Sequence, residues 1–89
     1  MAPANDHFMY VLRCADGSLY TGYTIDVERR LAQHQAGTAS RYTRTRRPVA
    51  MAGWWQFEGR SEALSAEAAF KRLSRTEKLR LLEASGGEA

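Results

Sequence analysis

The sequence lacks several features that define large classes of protein. Its 89 residues include a single cysteine, Cys14, so the chain can form neither an internal disulfide nor a thiolate zinc cluster. Apolar runs extend over only a few residues, which predicts that no segment spans a membrane. Residues 1–6 contain neither a basic stretch nor an apolar one, and we therefore expect no signal peptide. These absences together favour a cytoplasmic protein.

The composition that remains is typical of one small globular domain. A chain of this length buries only about 60–65% of the surface that its unfolded form exposes, which leaves room for one thin core. Apolar residues make up 44% of the sequence and charged residues 26%, as in ordinary soluble proteins. We expect a single domain over residues 1–89, with its core over about residues 7–83.

Among the charged residues, arginine is in marked excess. Eleven of the 13 cationic residues are arginine, yet the net charge is only +3 and by itself indicates little about partners. Residues 41–47 concentrate four arginines with no acidic residue between them: Arg41, Arg44, Arg46 and Arg47. Because a guanidinium group matches phosphate oxygens well, the cluster favours contact with a polyanion over a merely solvated loop. It does not distinguish DNA from RNA.

Hydrophobic patterning and turn residues predict the element order ββαβαα. Strands are expected over residues 7–14, 18–23 and 49–57, and helices over residues 27–36, 61–73 and for about ten residues after Ser74. Asp26 is a typical N-cap, Ser74 to Glu77 fits a capping box, and Gly86 and Gly87 should end the last helix. Residues 38–48 are expected to form a loop. The predicted fold is an α/β (α+β) domain in which helices cover a three-stranded sheet on at least one face.

The first predicted helix carries an unusual pair at the edge of its apolar stripe. Helical spacing puts Arg30 and His34 beside the inward face and turns Arg29 to solvent. Because burial of an unpaired charge is costly, the border positions of Arg30 and His34 are compatible with a functional role. A snorkelling arginine and a hydrogen-bonded histidine are the simpler alternative.

Glu67 occupies a similar border in the second predicted helix. The apolar face of that helix is expected to consist of Ala66, Ala69, Phe70 and Leu73. Spacing alone favours a surface ion pair between Glu67 and Lys71, one turn further on, over any other role for the carboxylate.

The positions of two tyrosines depend on the register of the predicted hairpin. A two-residue turn would pair Tyr10 with Tyr23 and send Tyr20 to the other face. A three-residue loop, with Gly17 in the left-handed conformation, would pair Tyr10 with Gly22, and Tyr10 and Tyr20 would then share one face. Propensity does not choose between these registers, and tyrosines that simply pack in the core are compatible with both.

Taken in order, these residues resemble the GIY-YIG nuclease domain. The likeness rests on Tyr10, on Tyr20-Thr21-Gly22, on the segment from Asp26 to His34 and on Glu67, and it covers about residues 7–83. The chain is most similar to the small stand-alone bacterial proteins of that family. The ordered set at these spacings is far more specific than any one of its motifs.

The resemblance implies a hydrolase that cuts phosphodiester bonds with a single divalent metal ion, Mg²⁺ or Mn²⁺. It assigns catalysis to four residues: Tyr10, Tyr20, Arg30 and His34. Glu67 is the expected metal ligand, and Gly22 has a structural role in the second motif. In the family, the first tyrosine acts as, or helps to form, the general base, and the arginine stabilises phosphate charge. Arg30 and the metal ion are both expected to lower the pKa of the Tyr10 phenol. The resemblance also implies the three-residue hairpin loop.

Two motifs depart from the family pattern. Residues 8–10 read Phe-Met-Tyr without the glycine of the first motif, and residues 20–22 read Tyr-Thr-Gly in place of Tyr-Ile-Gly. An attached DNA-binding domain is not expected, so the arginines of residues 41–47 would supply most phosphate contacts.

Three functions follow from these patterns. The leading prediction is a metal-dependent endonuclease that acts on DNA and selects structure rather than sequence. The alternative is a nucleic-acid-binding module of the same fold with weak or no catalysis. A third is a protein-interaction subunit, since one of Trp54 and Trp55 must point away from a one-sided core. We expect a monomer or a weak homodimer that does not contact membranes.

Overall fold

The computed structural model of the protein describes residues 6–84, in which it forms three strands and four helices. The strands are β1 (His7–Arg13), β2 (Leu19–Thr24) and β3 (Ala50–Phe57), and the helices are α1 (Val27–Ala36), α2 (Arg41–Arg44), α3 (Arg60–Lys71) and α4 (Arg75–Ala84). This order confirms the predicted arrangement apart from α2. Gly86 and Gly87, the predicted end of the last helix, lie outside the described residues. Residues 1–5, which belong to the segment where no signal peptide was expected, also lie outside them.

Helix α2 corrects the prediction of a continuous loop over residues 38–48. Ser40 is its N-cap, and the Ser40 hydroxyl accepts a hydrogen bond from the backbone N–H of Thr43 at 3.1 Å. One turn of helix is too short to show a hydrophobic period, so the pattern of apolar residues could not indicate it. The turn matters because it buries the side chain of Thr43 completely.

The sheet has the order β2-β1-β3, with β1 antiparallel to both neighbours. Tyr10 pairs with Gly22 and Leu12 with Tyr20, which confirms the three-residue loop in the hairpin. Gly17 adopts the left-handed conformation that this loop needs, with φ of 86°. Because directly paired residues project to the same side, Tyr10 and Tyr20 share one face of the sheet.

Helices cover both faces of the sheet, and we call the two sides the α1 face and the α3 face. Tyr10, Leu12, Cys14 and Val49 form the buried core of the α1 face, and Met9, Val11 and Phe70 form that of the α3 face. Trp54 packs on the α1 face and Trp55 on the α3 face. Neither tryptophan projects away from a core, so the observation behind the interaction-subunit hypothesis is not met.

The helix ends follow the predicted caps. The Asp26 carboxylate accepts from the backbone N–H of Arg29 at 3.0 Å. Ser74 and Glu77 exchange two side-chain-to-backbone hydrogen bonds, which confirms the capping box. No helix within residues 6–84 is both long enough and apolar enough to cross a membrane.

The inward face of α3 differs from the predicted one. Ala63 is fully buried, whereas Ala69 is exposed. Helix α3 ends at Lys71 instead of residue 73, and its buried stripe runs through Ala63, Ala66 and Phe70, at the i, i+3, i+7 spacing of one helix face.

Candidate active site

A chain of buried, hydrogen-bonded side chains joins the sheet to α1 and α2. The Tyr10 hydroxyl of β1 lies 2.7 Å from Nε2 of His34 in α1. Nδ1 of the same ring lies 2.7 Å from the hydroxyl of Thr43 in α2, which is 2.9 Å from the hydroxyl of Ser40. Tyr10, His34 and Thr43 are at most 2% exposed. This series of hydrogen-bonded side chains is therefore shielded from water along most of its length.

Gly22 leaves the space that Tyr10 occupies. A Cβ atom at this position would lie 2.6 Å from the hydroxyl oxygen of Tyr10 and 2.7 Å from its Cζ. Both distances are far below ordinary packing contacts. The Tyr10 ring therefore lies across the backbone of the edge strand β2, which gives a steric reason for the glycine of the second motif.

Tyr20 forms one wall of this arrangement. Its ring meets that of His34 edge-on, with centroids 5.1 Å apart, and its centroid is 6.5 Å from that of Tyr10. On its other side it stacks with Tyr42 at 5.9 Å. Tyr20 thus helps to hold the His34 ring, and its hydroxyl makes no hydrogen bond within residues 6–84.

Arg30 brings a cation whose hydrogen-bonding capacity is not used up. Its side chain is half-buried on the inner edge of α1, and its Nε atom is buried without a hydrogen-bond partner in the described part of the chain. Arg29 is exposed on the outer side, as predicted. A buried donor without an acceptor is costly, so this geometry suits an anionic ligand.

Burial dominates the titration of the tyrosine–histidine pair. Burial raises the pKa of the Tyr10 phenol well above its usual value; Tyr20 and Glu67 add to the rise, and the charge of Arg30 opposes it. Burial lowers the pKa of His34, and Arg30 lowers it further. Both side chains are therefore uncharged near neutral pH. The predicted lowering by Arg30 is present, but burial outweighs it.

Glu67 acts on the same site from α3. Its side chain is only 17% exposed, and its carboxylate contacts Nζ of Lys71 at 2.9 Å, the ion pair that spacing predicted. Within residues 6–84, no three or more histidine, cysteine or acidic side chains gather into a metal-binding group. A single carboxylate completed by water is a set that Mg²⁺ accepts, because this ion keeps much of its hydration. The residues present thus fit one hydrated divalent ion, with Lys71 as its competitor.

The four arginines of residues 41–47 have two different environments. Arg46 donates to the Asp16 carboxylate at 3.1 Å and lies over the Tyr42 ring at 3.8 Å. Arg47 donates to the backbone carbonyls of Arg44 and Gln35 at 3.0 and 3.2 Å. These two arginines brace the segment against the hairpin turn and the end of α1.

Arg41 and Arg44 are the exposed arginines of α2. Their guanidinium groups have no hydrogen-bond or ion-pair partner among residues 6–84. They are therefore free to contact an external phosphate, whereas Arg46 and Arg47 already have internal acceptors.

Three residues around His34 were not predicted as part of the site: Ser40, Tyr42 and Thr43. Only the spacing of Ser40 and Thr43 carried a signal, because serine is a common N-cap whose hydroxyl receives the N–H three residues on. The inward direction of Thr43 depends on its contact with α1, which the sequence does not show.

Comparison with known proteins identifies a family and close relatives. Residues 6–80 match the family model of the GIY-YIG catalytic domain. The chain is 60% identical over 78 residues to the UPF0213 protein lin0209 of Listeria innocua, a match that covers 88% of this chain and 87% of that protein. It is 52% identical over 85 residues to a UPF0213 protein of Enterococcus faecalis, covering 93% and 97%.

Two solution NMR structures share the fold. The UPF0213 protein BH0048 of Bacillus halodurans aligns with a TM-score of 0.60 at 44% identity, covering 91% of this chain and 86% of that one. The protein EF2693 of E. faecalis aligns with a TM-score of 0.58 at 44% identity, covering 93% and 92%.

Proposed function

Because the chain belongs to the GIY-YIG family of nuclease domains, we propose that it is a metal-dependent endonuclease that hydrolyses phosphodiester bonds in DNA. The observation that carries the proposal is the Tyr10–His34 hydrogen bond beside the unpartnered Nε of Arg30. It combines a proton donor and a proton acceptor with a cation that has no anionic partner among residues 6–84. Hydrolysis of a phosphodiester needs both a proton path and stabilised negative charge.

Arg30 binds the scissile phosphate in this proposal. Negative charge grows on the phosphoryl oxygens as water attacks, and a fixed cation stabilises it most when it needs no rearrangement. The Nε donor of Arg30 is already desolvated and has no acceptor to give up within residues 6–84. A phosphate oxygen would therefore gain a charge-assisted hydrogen bond at little cost.

Tyr10 and His34 carry the proton away from the attacking water. The Tyr10 oxygen is buried in the free protein, so the attacking water must gain access to it when the substrate binds. The oxygen then takes a proton from that water while Nε2 of His34 accepts the phenolic proton, so His34 ends as imidazolium. The resulting hydroxide bonds to phosphorus as the bond to the leaving oxygen breaks. Burial disfavours the imidazolium in the free protein, but a bound phosphate anion beside His34 favours it.

Glu67 would hold the divalent ion, with water in the remaining positions. Nucleases of this family generally use divalent metal ions, and such an ion stabilises the negative charge of the leaving oxygen when bound. Lys71 would compete with the ion for this carboxylate, since its Nζ atom contacts Oε2 of Glu67 at 2.9 Å.

Arg41 and Arg44 hold the DNA backbone in this proposal. Arginine contacts with phosphates position a protein on DNA without reading its sequence. A single four-residue helix with two free arginines offers little surface for base contacts. These features support selection by DNA structure rather than by sequence.

The test is nicking of supercoiled and branched DNA in Mg²⁺ or Mn²⁺ by wild type, Tyr10→Phe and Glu67→Ala. Loss of a general acid–base group lowers the rate about 10²–10⁴-fold, which we expect for Tyr10→Phe. Tyr23→Phe is the matched control, because the Tyr23 hydroxyl also makes a 2.7 Å hydrogen bond to a histidine, His7. Equal nicking by wild type, Tyr10→Phe and Glu67→Ala would indicate a contaminating nuclease and contradict the proposal.

A nucleic-acid-binding module with weak or no catalysis is the second candidate. The observation in its favour is that burial keeps the Tyr10 phenol protonated. It predicts salt-sensitive DNA binding that survives Glu67→Ala and weakens in Arg41→Ala and Arg44→Ala. The two candidates differ in one result, since only the nuclease shows nicking that requires a divalent ion and Tyr10.

A further inference from the structure

Thr43 is the buried partner of His34 on the side away from Tyr10. Its hydroxyl lies 2.7 Å from Nδ1 and is inaccessible to solvent. A neutral imidazole donates from one ring nitrogen and accepts at the other, and the partner of each nitrogen decides which is protonated. Thr43 can act as either donor or acceptor, so the protons of the whole chain must be considered together.

The hydrogen-bond chain has one arrangement in which every proton has an acceptor. Within residues 6–84, the buried hydroxyl of Tyr10 has Nε2 of His34 as its acceptor and no other. A proton on Nε2 would leave the phenolic proton buried without an acceptor, which is costly. The His34 proton therefore belongs on Nδ1, where it is donated to Thr43. The Thr43 hydroxyl can donate in turn to the hydroxyl or the carbonyl of Ser40, at 2.9 and 3.4 Å.

We propose that Thr43 is a positioning residue that holds the proton of His34 on Nδ1, so that Nε2 presents its lone pair to the Tyr10 hydroxyl. The inference rests on the proposed nuclease function, because that lone pair receives the phenolic proton during hydrolysis. Thr43 contacts neither the phosphate nor the metal in this scheme. It acts through the orientation and proton position of His34 alone.

A neutral residue at this position has a specific advantage. A carboxylate beside Nδ1 would favour the imidazolium form, and an imidazolium has no lone pair with which to accept a proton. A threonine hydroxyl orients the ring by a hydrogen bond while leaving it uncharged. This agrees with the buried environment of His34, which also favours the neutral ring.

The tautomer of His34 can be measured directly by ¹⁵N NMR of its imidazole nitrogens, in the full chain without DNA or metal. We expect a protonated Nδ1 and an unprotonated Nε2 in wild type and in Thr43→Ser, which keeps the hydroxyl. In Thr43→Val, which keeps the shape without the hydroxyl, a proton should appear on Nε2 in a substantial fraction of molecules. Thr38→Val is the control, because the exposed Thr38 hydroxyl donates only to the backbone carbonyl of Gln33.

The same variants give a kinetic readout. Loss of a partner that orients a metal-binding histidine costs about 10–100-fold, and by analogy we expect a decrease of that order in the turnover rate of Thr43→Val. DNA affinity should stay at the wild-type value, because Thr43 touches no phosphate. Thr43→Ser should restore most of the rate.

Several outcomes would overturn the proposal. A proton on Nε2 in wild type would contradict it, as would Thr43→Val with an unchanged tautomer and rate. If Thr43→Val does not fold, the His34 tautomer is measured in Tyr10→Phe instead. A proton that stays on Nδ1 in this variant supports the proposal, because Thr43 then holds it without the phenol. A proton that moves to Nε2 contradicts the proposal. Wild type that nicks no DNA while its tautomer depends on Thr43 would refute the nuclease function and uphold the positioning of the ring.

Discussion

Two tyrosine–histidine hydrogen bonds of the same length, 2.7 Å, lie on opposite faces of one sheet. Tyr10 and Tyr23 belong to adjacent pairs of the β1–β2 ladder. Tyr10–His34 is buried, whereas His7 and Tyr23 are half-buried and stack ring on ring at 6.0 Å. The same two side-chain types thus occur in a shielded and in a solvated setting on nearly the same backbone.

The difference shows that a tyrosine–histidine pair is not by itself a reactive site. His34 has a second buried hydrogen-bond partner, Thr43, and the Nε atom of the neighbouring Arg30 is a buried donor without an acceptor among residues 6–84. On the α3 face, the cation beside the pair is Arg60, which lies over the Tyr23 ring at 5.7 Å. The α1 face therefore combines features that favour a bound anion, and the α3 face combines features that favour packing.

Among variants that keep both Tyr10 and His34, the largest effect is expected where the α1 face is sterically tightest. A Cβ at position 22 would overlap Tyr10, so Gly22→Ala should displace the Tyr10 ring from its present position. Misplacement of a reacting group by about 1 Å can cost about 100-fold in rate, which we expect in the nicking assay. In a Tyr10→Ala background, Gly22→Ala should cost less stability than in wild type, because the clashing ring is gone, and it should not recover activity. Normal nicking by Gly22→Ala alone would show that the position of Tyr10 does not matter.

The two hydrogen bonds should also differ in their contribution to stability. Tyr10→Phe leaves Nε2 of His34 buried without a donor, which costs about 1–3 kcal/mol of unfolding free energy. Tyr23→Phe leaves a half-buried nitrogen that water can reach, and should cost about 0.5–1 kcal/mol. Urea unfolding of both variants measures the difference. Equal losses would mean that burial does not distinguish the two pairs.

Acid should weaken the α1 face through His34. Because burial lowers the pKa of His34, the unfolded chain binds a proton there at about pH 6.5, before the folded protein does. The free energy of unfolding should therefore fall as the pH drops below about 6.5, and level off below the folded pKa. Urea unfolding between about pH 7 and 5 tests this. His34→Gln should make the unfolding free energy depend less on pH. The matched variant His7→Gln should leave the part of that dependence that comes from His34 unchanged.

Much of this site could be predicted from the sequence because spacing along a helix or strand determines it. The Asp26 cap fixes where α1 begins, and the period of the helix then puts Arg30 and His34 on its inner border. The hairpin register was left open by propensity and followed only from the family resemblance. In the structure, the register and the missing side chain of Gly22 together make room for Tyr10.

The rest of the site depends on contacts between distant residues. All four arginines of residues 41–47 were predicted to contact phosphate, yet Arg46 pairs with Asp16, which is 30 residues away in the sequence. Thr43 points inward because α2 packs against α1, and a helix of one turn carries no periodicity that could indicate it. Likewise, the family resemblance predicted that Arg30 would lower the pKa of Tyr10, but it did not predict that burial would outweigh this effect of Arg30.

The smallest expected effect tests whether the two faces meet in one site. Glu67 belongs to α3, which packs on the α3 face, yet its charge acts on Tyr10 of the α1 face. If Glu67 binds the metal, Lys71→Gln removes a competing cation and should strengthen Mg²⁺ binding. The Lys71 side chain is 56% exposed, and an ion pair at the surface contributes at most about 1 kcal/mol, so the gain should be about fivefold or less.

Titration calorimetry with Mg²⁺ measures this gain, with Lys78→Gln as the control because Lys78 lies near the Phe70 ring at 5.8 Å and not beside Glu67. Glu67→Ala should abolish the binding. If Glu67→Ala binds Mg²⁺ as wild type does, the carboxylate of α3 is not the metal ligand and the two faces do not share a site. If only Lys71→Gln and Glu67→Ala change the affinity, in opposite directions, the carboxylate that binds the ion is the one that Lys71 holds in the free protein.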